Sequence, residues 1–110
     1  MSPPDSAPVF AALGDEVRLR LVARLGSGGP LSTARLTVGT HVTRQGITKH
    51  LEVLAEAGLA HSIRRGRERV WQLDRRPLDE ARGYLDQLSQ QWDDALGRLK
   101  STVETDPTPK

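Results

Sequence analysis

The 110-residue sequence predicts a mainly α-helical fold with one small β-hairpin, its elements ordered ααααββα. Three observations predict it. Apolar residues recur at helical spacing in three separate stretches. The segment 59–73 alternates instead, about the tight turn Arg65-Gly66-Arg67. Glycines, prolines and capping residues punctuate the chain between these stretches. The length allows one domain. It is expected over residues 9–103, between a flexible N-terminus (1–8, three of whose residues are proline) and a flexible tail (104–110, with Pro107 and Pro109).

Val9, Phe10, Ala12 and Leu13 predict a short first helix closing near Gly14. Asp15 is a good N-cap for the second helix, and Glu16 suits its first turn, where the helix dipole favours an anion. Val17, Leu21 and Leu25, with Leu19 and Val22 beside them, give that helix its apolar face. Gly26-Ser27-Gly28-Gly29-Pro30 ends it. Ser32 caps a third helix through Thr33, Ala34, Arg35, Leu36 and Val38, and Gly39-Thr40 turns the chain. Thr43 caps a fourth, Arg44 to Ala57, whose Ile47, Leu51, Leu54 and Ala55 share one face. Gly58 stands where a helix-ending glycine belongs.

Two strands follow, 59–64 and 68–73. In the second, Arg69, Trp71 and Leu73 alternate with Val70 and Gln72, and Gly66 at the tip is free to take positive φ. Pro77 opens the last helix, about 77–103. Leu78, Leu85, Trp92 and Leu99 recur every seven residues, and Ala81, Leu88 and Ala95 repeat in a companion register. Together they form a heptad seam, widened by Leu96 and Val103. The second to fourth helices already serve the core. The seam is therefore expected to pack partly on the first helix and partly on a second copy of the chain.

Composition narrows the function. Only 36% of residues are hydrophobic and 4% aromatic, so the core is modest and self-association would bury more apolar surface. The chain has no cysteine, which excludes disulfides, thiolate metal sites and thiol redox switches and fits a cytoplasmic bacterial protein. No apolar run approaches the roughly 20 residues of a membrane span. The opening MSPPDSAPVF lacks the basic and long apolar regions of a signal peptide. The net charge of +2 hides a polarised chain. Residues 44–76 hold eight basic and four acidic groups, net +4, and residues 77–106 hold three basic and seven acidic, net −4. Such a chain turns one face to a polyanion and keeps another away from it.

The third and fourth helices read as a helix-turn-helix, whose second helix enters the major groove with its N-terminal residues at base edges. Here those residues are Thr43, Arg44, Gln45, Thr48 and Lys49. Arg bridges guanine O6 and N7, Gln bridges adenine N6 and N7, and Thr offers a hydroxyl or a methyl. His50 follows, within reach of a phosphate. Gly46 interrupts the helix at a cost of about 1 kcal/mol relative to alanine. Either it lets the helix approach the DNA backbone closely or it is a tolerated weakness. Arg64, Arg65, Arg67 and Arg69 surround the hairpin tip and suit phosphate or minor-groove contact, which positions a protein on DNA more than it specifies sequence.

These residues resemble the ArsR family of bacterial winged helix-turn-helix regulators, from about Val9 to Val103. The resemblance is carried by FAALGDEVR at 10–18, by VTRQGITKHLEVLAEAGL at 42–59, and by the hairpin ending Val70-Trp71-Gln72-Leu73. It implies a homodimer built through the first and last helices, with Val9, Phe10 and Leu13 joining Leu78, Ala81, Leu85, Leu88, Trp92, Ala95 and Leu99 at the interface. It also implies a repressor on a pseudo-palindromic DNA operator, released by an inducer. The family's founding branch senses metals through cysteines near the helix-turn-helix or through Asp and His pairs on the last helix. This sequence has no cysteine and no histidine in 78–103, so no metal or cofactor is expected. His41, His50 and His61 lie apart and read as surface or hydrogen-bonding groups. No nucleophile with its base, and no glycine-rich phosphate loop, points to an enzyme. The competing reading is a winged-helix protein-interaction module without specific DNA binding; the basic hairpin and polar helix face argue against it.

Overall fold

The computed structural model describes the backbone of residues 3–105 and the side chains of residues 6–103. The chain forms α1 (Pro3–Leu13), α2 (Glu16–Gly28), β1 (Leu31–Ser32), α3 (Thr33–Thr37), α4 (Arg44–Glu56), β2 (Ala60–Arg65), β3 (Glu68–Leu73) and α5 (Arg76–Thr105). The expected ααααββα order holds, with one addition. The hairpin is part of a three-stranded antiparallel sheet ordered β1-β3-β2, in which Leu31 pairs with Trp71 and Ser32 with Val70.

Local chemistry starts the middle helices where the sequence places their caps. Asp15 accepts the Arg18 N–H at 3.0 Å, Ser32 that of Arg35 at 3.1 Å and Thr43 that of Gly46 at 3.1 Å, each filling a donor that a helix N-terminus leaves open. Arg18 N–H and the nearby Arg18 and His50 side chains hold the Asp15 carboxyl below its ordinary range. Gly58 (φ 80°) ends α4 in the left-handed region, as glycine alone does cheaply.

α1 corrects the expected flexible N-terminus. It begins at Pro3 rather than Val9, because prolines in a first helical turn lose no hydrogen bond. Pro8, inside the helix, is outweighed by packing: Ser6 and Val9 are both buried. Of the expected flexible ends, residues 1–2 and 106–110 lie outside the described residues, and α5 continues past Val103 to Thr105.

The core gathers Leu21 and Leu25 of α2, Leu36 of α3, Ile47, Leu51 and Leu54 of α4, Leu59, and Trp71 of β3. Leu19, grouped with the α2 face on sequence, is instead exposed, because the buried stripe is only as wide as α4 and β3 can cover. Trp71 is fully buried, and its indole N–H donates to Thr33 Oγ1 at 2.9 Å. This bond and the β1–β3 pairing join the start of α3 to the hairpin. At the head of α5, Asp74 accepts the Arg76 N–H at 3.0 Å and meets the Arg76 guanidinium at 2.7 Å and His61 Nε2 at 2.9 Å. These partners hold the Asp74 carboxyl far below the usual carboxylate range.

The inner end of α5 packs on α1, where Phe10 meets Tyr84 with ring centroids 6.0 Å apart. Beyond that the helix runs clear of the domain, which stretches the molecule to 78 Å along its longest axis.

Candidate nucleic-acid interface

α4 is amphipathic, and its two faces have separate tasks. Ile47, Leu51 and Leu54 are fully buried. Thr43, Arg44, Gln45 and Lys49 are exposed on the first turns. Among the described residues, the side chains of Arg44, Gln45 and Lys49 make no hydrogen bond or ion pair, so their donors are uncommitted. Thr48 Oγ1 donates to Arg44 O at 2.9 Å, leaving its oxygen as an acceptor. Thr43 spends its oxygen on the cap and remains exposed at the positive end of the helix.

Gly46 has a packing reason that its sequence position does not reveal. A Cβ there would stand 2.7 Å from Val42 Cγ1 and 3.3 Å from Thr43 Oγ1. The glycine lets the turn before α4 fold tightly onto the helix that Thr43 caps.

His50 departs from the expected reach to a phosphate. Its Nδ1 accepts from Arg18 Nη1 at 3.1 Å and lies 3.8 Å from Asp15 Oδ2, so the ring is drawn back onto the start of α2. Arg18 in turn donates through Nε to Ala12 O at 2.6 Å. His50 therefore braces α4 against α1 and α2. The signal that could have found this is the shared helical face of His50 and the buried Leu54, four residues on.

The hairpin tip carries Arg64, Arg65 and Arg67, all exposed and without side-chain partners among the described residues, around Gly66 at φ 65°. Arg69, by contrast, has partners within the protein. Its guanidinium lies 4.4 Å over the Trp71 ring, donates to Ser62 Oγ at 3.0 Å and reaches Glu52 at 3.5 Å. It is committed inward because residues two apart on a strand share a face, and Trp71 occupies that face. Arg64 stands directly across the ladder from Arg69, a like-charge pairing that favours an anion nearby.

The predicted seam divides in two. Val9 and Ala81 are buried in the chain's own core, which leaves them little surface for the dimer interface expected of them. Phe10, Leu13 and Leu78 are partly buried against that core. Leu85, Leu88, Trp92 and Leu99 are exposed, Trp92 to 65%, and Ala95 is half-buried. Among the described residues no cluster of three metal-ligating side chains occurs, and no helix is long and apolar enough to cross a membrane.

A helix-turn-helix with a basic hairpin beside it has known counterparts. A profile of the family described as Helix-turn-helix domain matches residues 13–63. The HTH-type transcriptional regulator Rv2034 of Mycobacterium tuberculosis is 34% identical, over 94% of this chain and 91% of its own. The uncharacterized HTH-type transcriptional regulator YuzN of Bacillus subtilis is 38% identical, over 64% of this chain and 83% of its own. The solved structure of an ArsR-like transcriptional regulator from Rhodococcus sp. RHA1 superposes with a TM-score of 0.78 at 32% identity, over 93% of this chain and 95% of that one. The chain belongs to the ArsR family of winged helix-turn-helix transcriptional regulators.

As an ArsR-family regulator it is a DNA-binding protein of transcription control and not an enzyme. In ArsR terms α3 and α4 are the helix-turn-helix and β2–β3 is the wing. Sequence reasoning named the outward residues of both elements. It missed Arg18, which with the capping Asp15 anchors the recognition helix from behind through His50, and Arg24, whose guanidinium holds the end of α3.

Proposed function

We propose that this ArsR-family protein is a cytoplasmic, homodimeric repressor that binds a pseudo-palindromic operator and leaves it on binding an inducer. In this reading Arg44, Gln45, Thr48 and Lys49 read bases in the major groove, Thr43 meets a phosphate, and Arg64, Arg65 and Arg67 hold the flanking backbone. The observation that carries it is the set of uncommitted donors on the outer face of α4 and at the wing tip, six exposed groups without a hydrogen-bond or ion-pair partner among the described residues. Such donors are suited to a phosphate-lined duplex. Self-association is supported by the apolar row Leu85, Leu88, Trp92 and Leu99, exposed on a helix that has run out of its own domain. Two copies would present two recognition helices, as dimeric helix-turn-helix proteins do on half-sites one turn of DNA apart.

The test is fluorescence anisotropy with DNA from upstream of the protein's own coding region, against a scrambled duplex, over a range of salt. The expected outcome is tight, sequence-preferring binding that weakens steeply with salt. Equal and weak binding to both duplexes, followed by a genome-wide binding selection that enriches no site, would overturn the reading.

A further inference from the structure

A cavity of about 460 Å³ opens between α2, α3 and the turn that leads into α4. Its size lies within the range of pockets that hold small organic molecules. Leu21 and Leu36 form a buried floor, with Val17 beside them and Val38 at the mouth. The outward residues of α4 take no part in its walls, so an occupant leaves the row proposed to face DNA uncovered.

The charges in the cavity do not cancel. Glu16 and Arg20 neutralise one another across 2.7 Å. Arg24 has no carboxylate partner among the described residues. Its Nη1 donates to Leu36 O at 2.9 Å and to Val38 O at 3.5 Å, and its Nη2 to Arg35 O at 2.9 Å. These carbonyls end α3 and have no partner within the helix. Three of the guanidinium's five donors are thus used, and two remain. A recess with an apolar floor, lined also by Thr40 and His41 and with the Arg24 guanidinium uncompensated by a carboxylate, matches a molecule with a hydrophobic body and a single carboxylate.

We propose that this cavity binds an organic carboxylate and that its occupancy changes affinity for DNA through the turn between α3 and α4. The second half rests on the DNA-binding reading above; the first does not. A carboxylate that takes the two remaining donors draws the guanidinium towards the cavity, and the longest of its bonds, to Val38 O, which ties α2 to the turn, is the first to lengthen. Gly39 follows at φ 81° and gives the turn a pivot, and Thr43, four residues further on, caps α4. A shift of the turn therefore reaches the residues that begin the recognition helix. A ligand alters DNA affinity to the extent that it prefers one position of the turn.

The test uses the full chain, ¹⁵N-labelled and without DNA, titrated with 2-naphthoate and, separately, with its neutral counterpart 2-naphthamide. The expected result is saturable movement of the amide signals of Val17, Leu21, Arg24 and Val38 to Val42, with the amide ligand about tenfold weaker. Val38→Trp, at a position 69% exposed and so tolerant of a larger side chain, should block the mouth and abolish binding. Arg24→Gln should bring the two ligands to equal affinity. No movement, movement confined to the exposed row of α5, or equal affinity of both ligands for the wild type would overturn the site. Anisotropy on the operator then judges the coupling: 2-naphthoate should weaken DNA binding by about fivefold or more in the wild type and leave Val38→Trp unmoved. An unchanged DNA affinity in protein saturated with 2-naphthoate overturns the regulatory half alone. A ligand-free wild type that binds no operator overturns that half together with the proposed function, while the titration without DNA still decides the site.

Discussion

Arginine shows how much residue type leaves open until contacts are known. Arg44 and Arg65 have no partner among the described residues, Arg69 lies on an indole, Arg18 grips a histidine and Arg24 closes the end of a helix. Composition counts all five alike. Only Arg44 among them opens the recognition helix with its donors uncommitted. Arg44→Ala should therefore cost about 1–3 kcal/mol on the operator and relax the preference at one base position. Competition anisotropy on single-base variants of the site measures both. A uniform loss on all duplexes would make Arg44 a phosphate contact instead. The contacts that His50 and Arg69 make were hidden on sequence for the same reason: their targets, Asp15 with Arg18 and Trp71 with Ser62, come from other elements or from across a strand pair.

Element boundaries were legible wherever one side chain decides them locally. Asp15, Ser32 and Thr43 each bond a backbone N–H three residues on, so a window of four residues holds the whole interaction. β1 was not legible, because its two residues have no pattern of their own and pair with partners about forty positions later. The start of α1 was hidden by prolines that read as breakers but stand where a helix tolerates them. Gly46 was visible but its cause was not. Gly46→Ala would gain about 1 kcal/mol of helix propensity, yet the new methyl group meets Val42, whose branched side chain has little rotamer freedom. Thermal denaturation should show no stabilisation; a rise in Tm would mean that Val42 can move aside at no cost. In the wing, replacing Arg65 and Arg67 together with alanine should weaken binding to all DNA and lower the salt slope by about 2 per protomer. An unchanged slope would remove the wing from the interface.

Across the whole molecule, burial and length fall in different places. The core is complete before α5 is half spent, and the exposed Leu85, Leu88, Trp92 and Leu99 extend along a helix about 45 Å long. Replacing Leu85 and Trp92 with alanine should leave the protomer folded and dissociate the proposed dimer. Analytical ultracentrifugation with far-UV circular dichroism checks both, and a folded mutant that still sediments as a dimer would contradict the seam. One further property belongs to the domain as a body. The stitch of β1 to β3, with Trp71 bonded to Thr33, holds the start of α3 to the wing, so with the cavity beside the α3–α4 turn empty the helix-turn-helix and the wing keep a set spacing. In the proposed complex the two act like the fixed jaws of a calliper. Inserting one base pair between the major-groove step and the flanking wing step displaces the second by about 3.4 Å along the duplex axis, more than a hydrogen bond can stretch. Operators would then be selected by phase as well as by letters, and a site with the right bases at the wrong separation would lose one set of contacts.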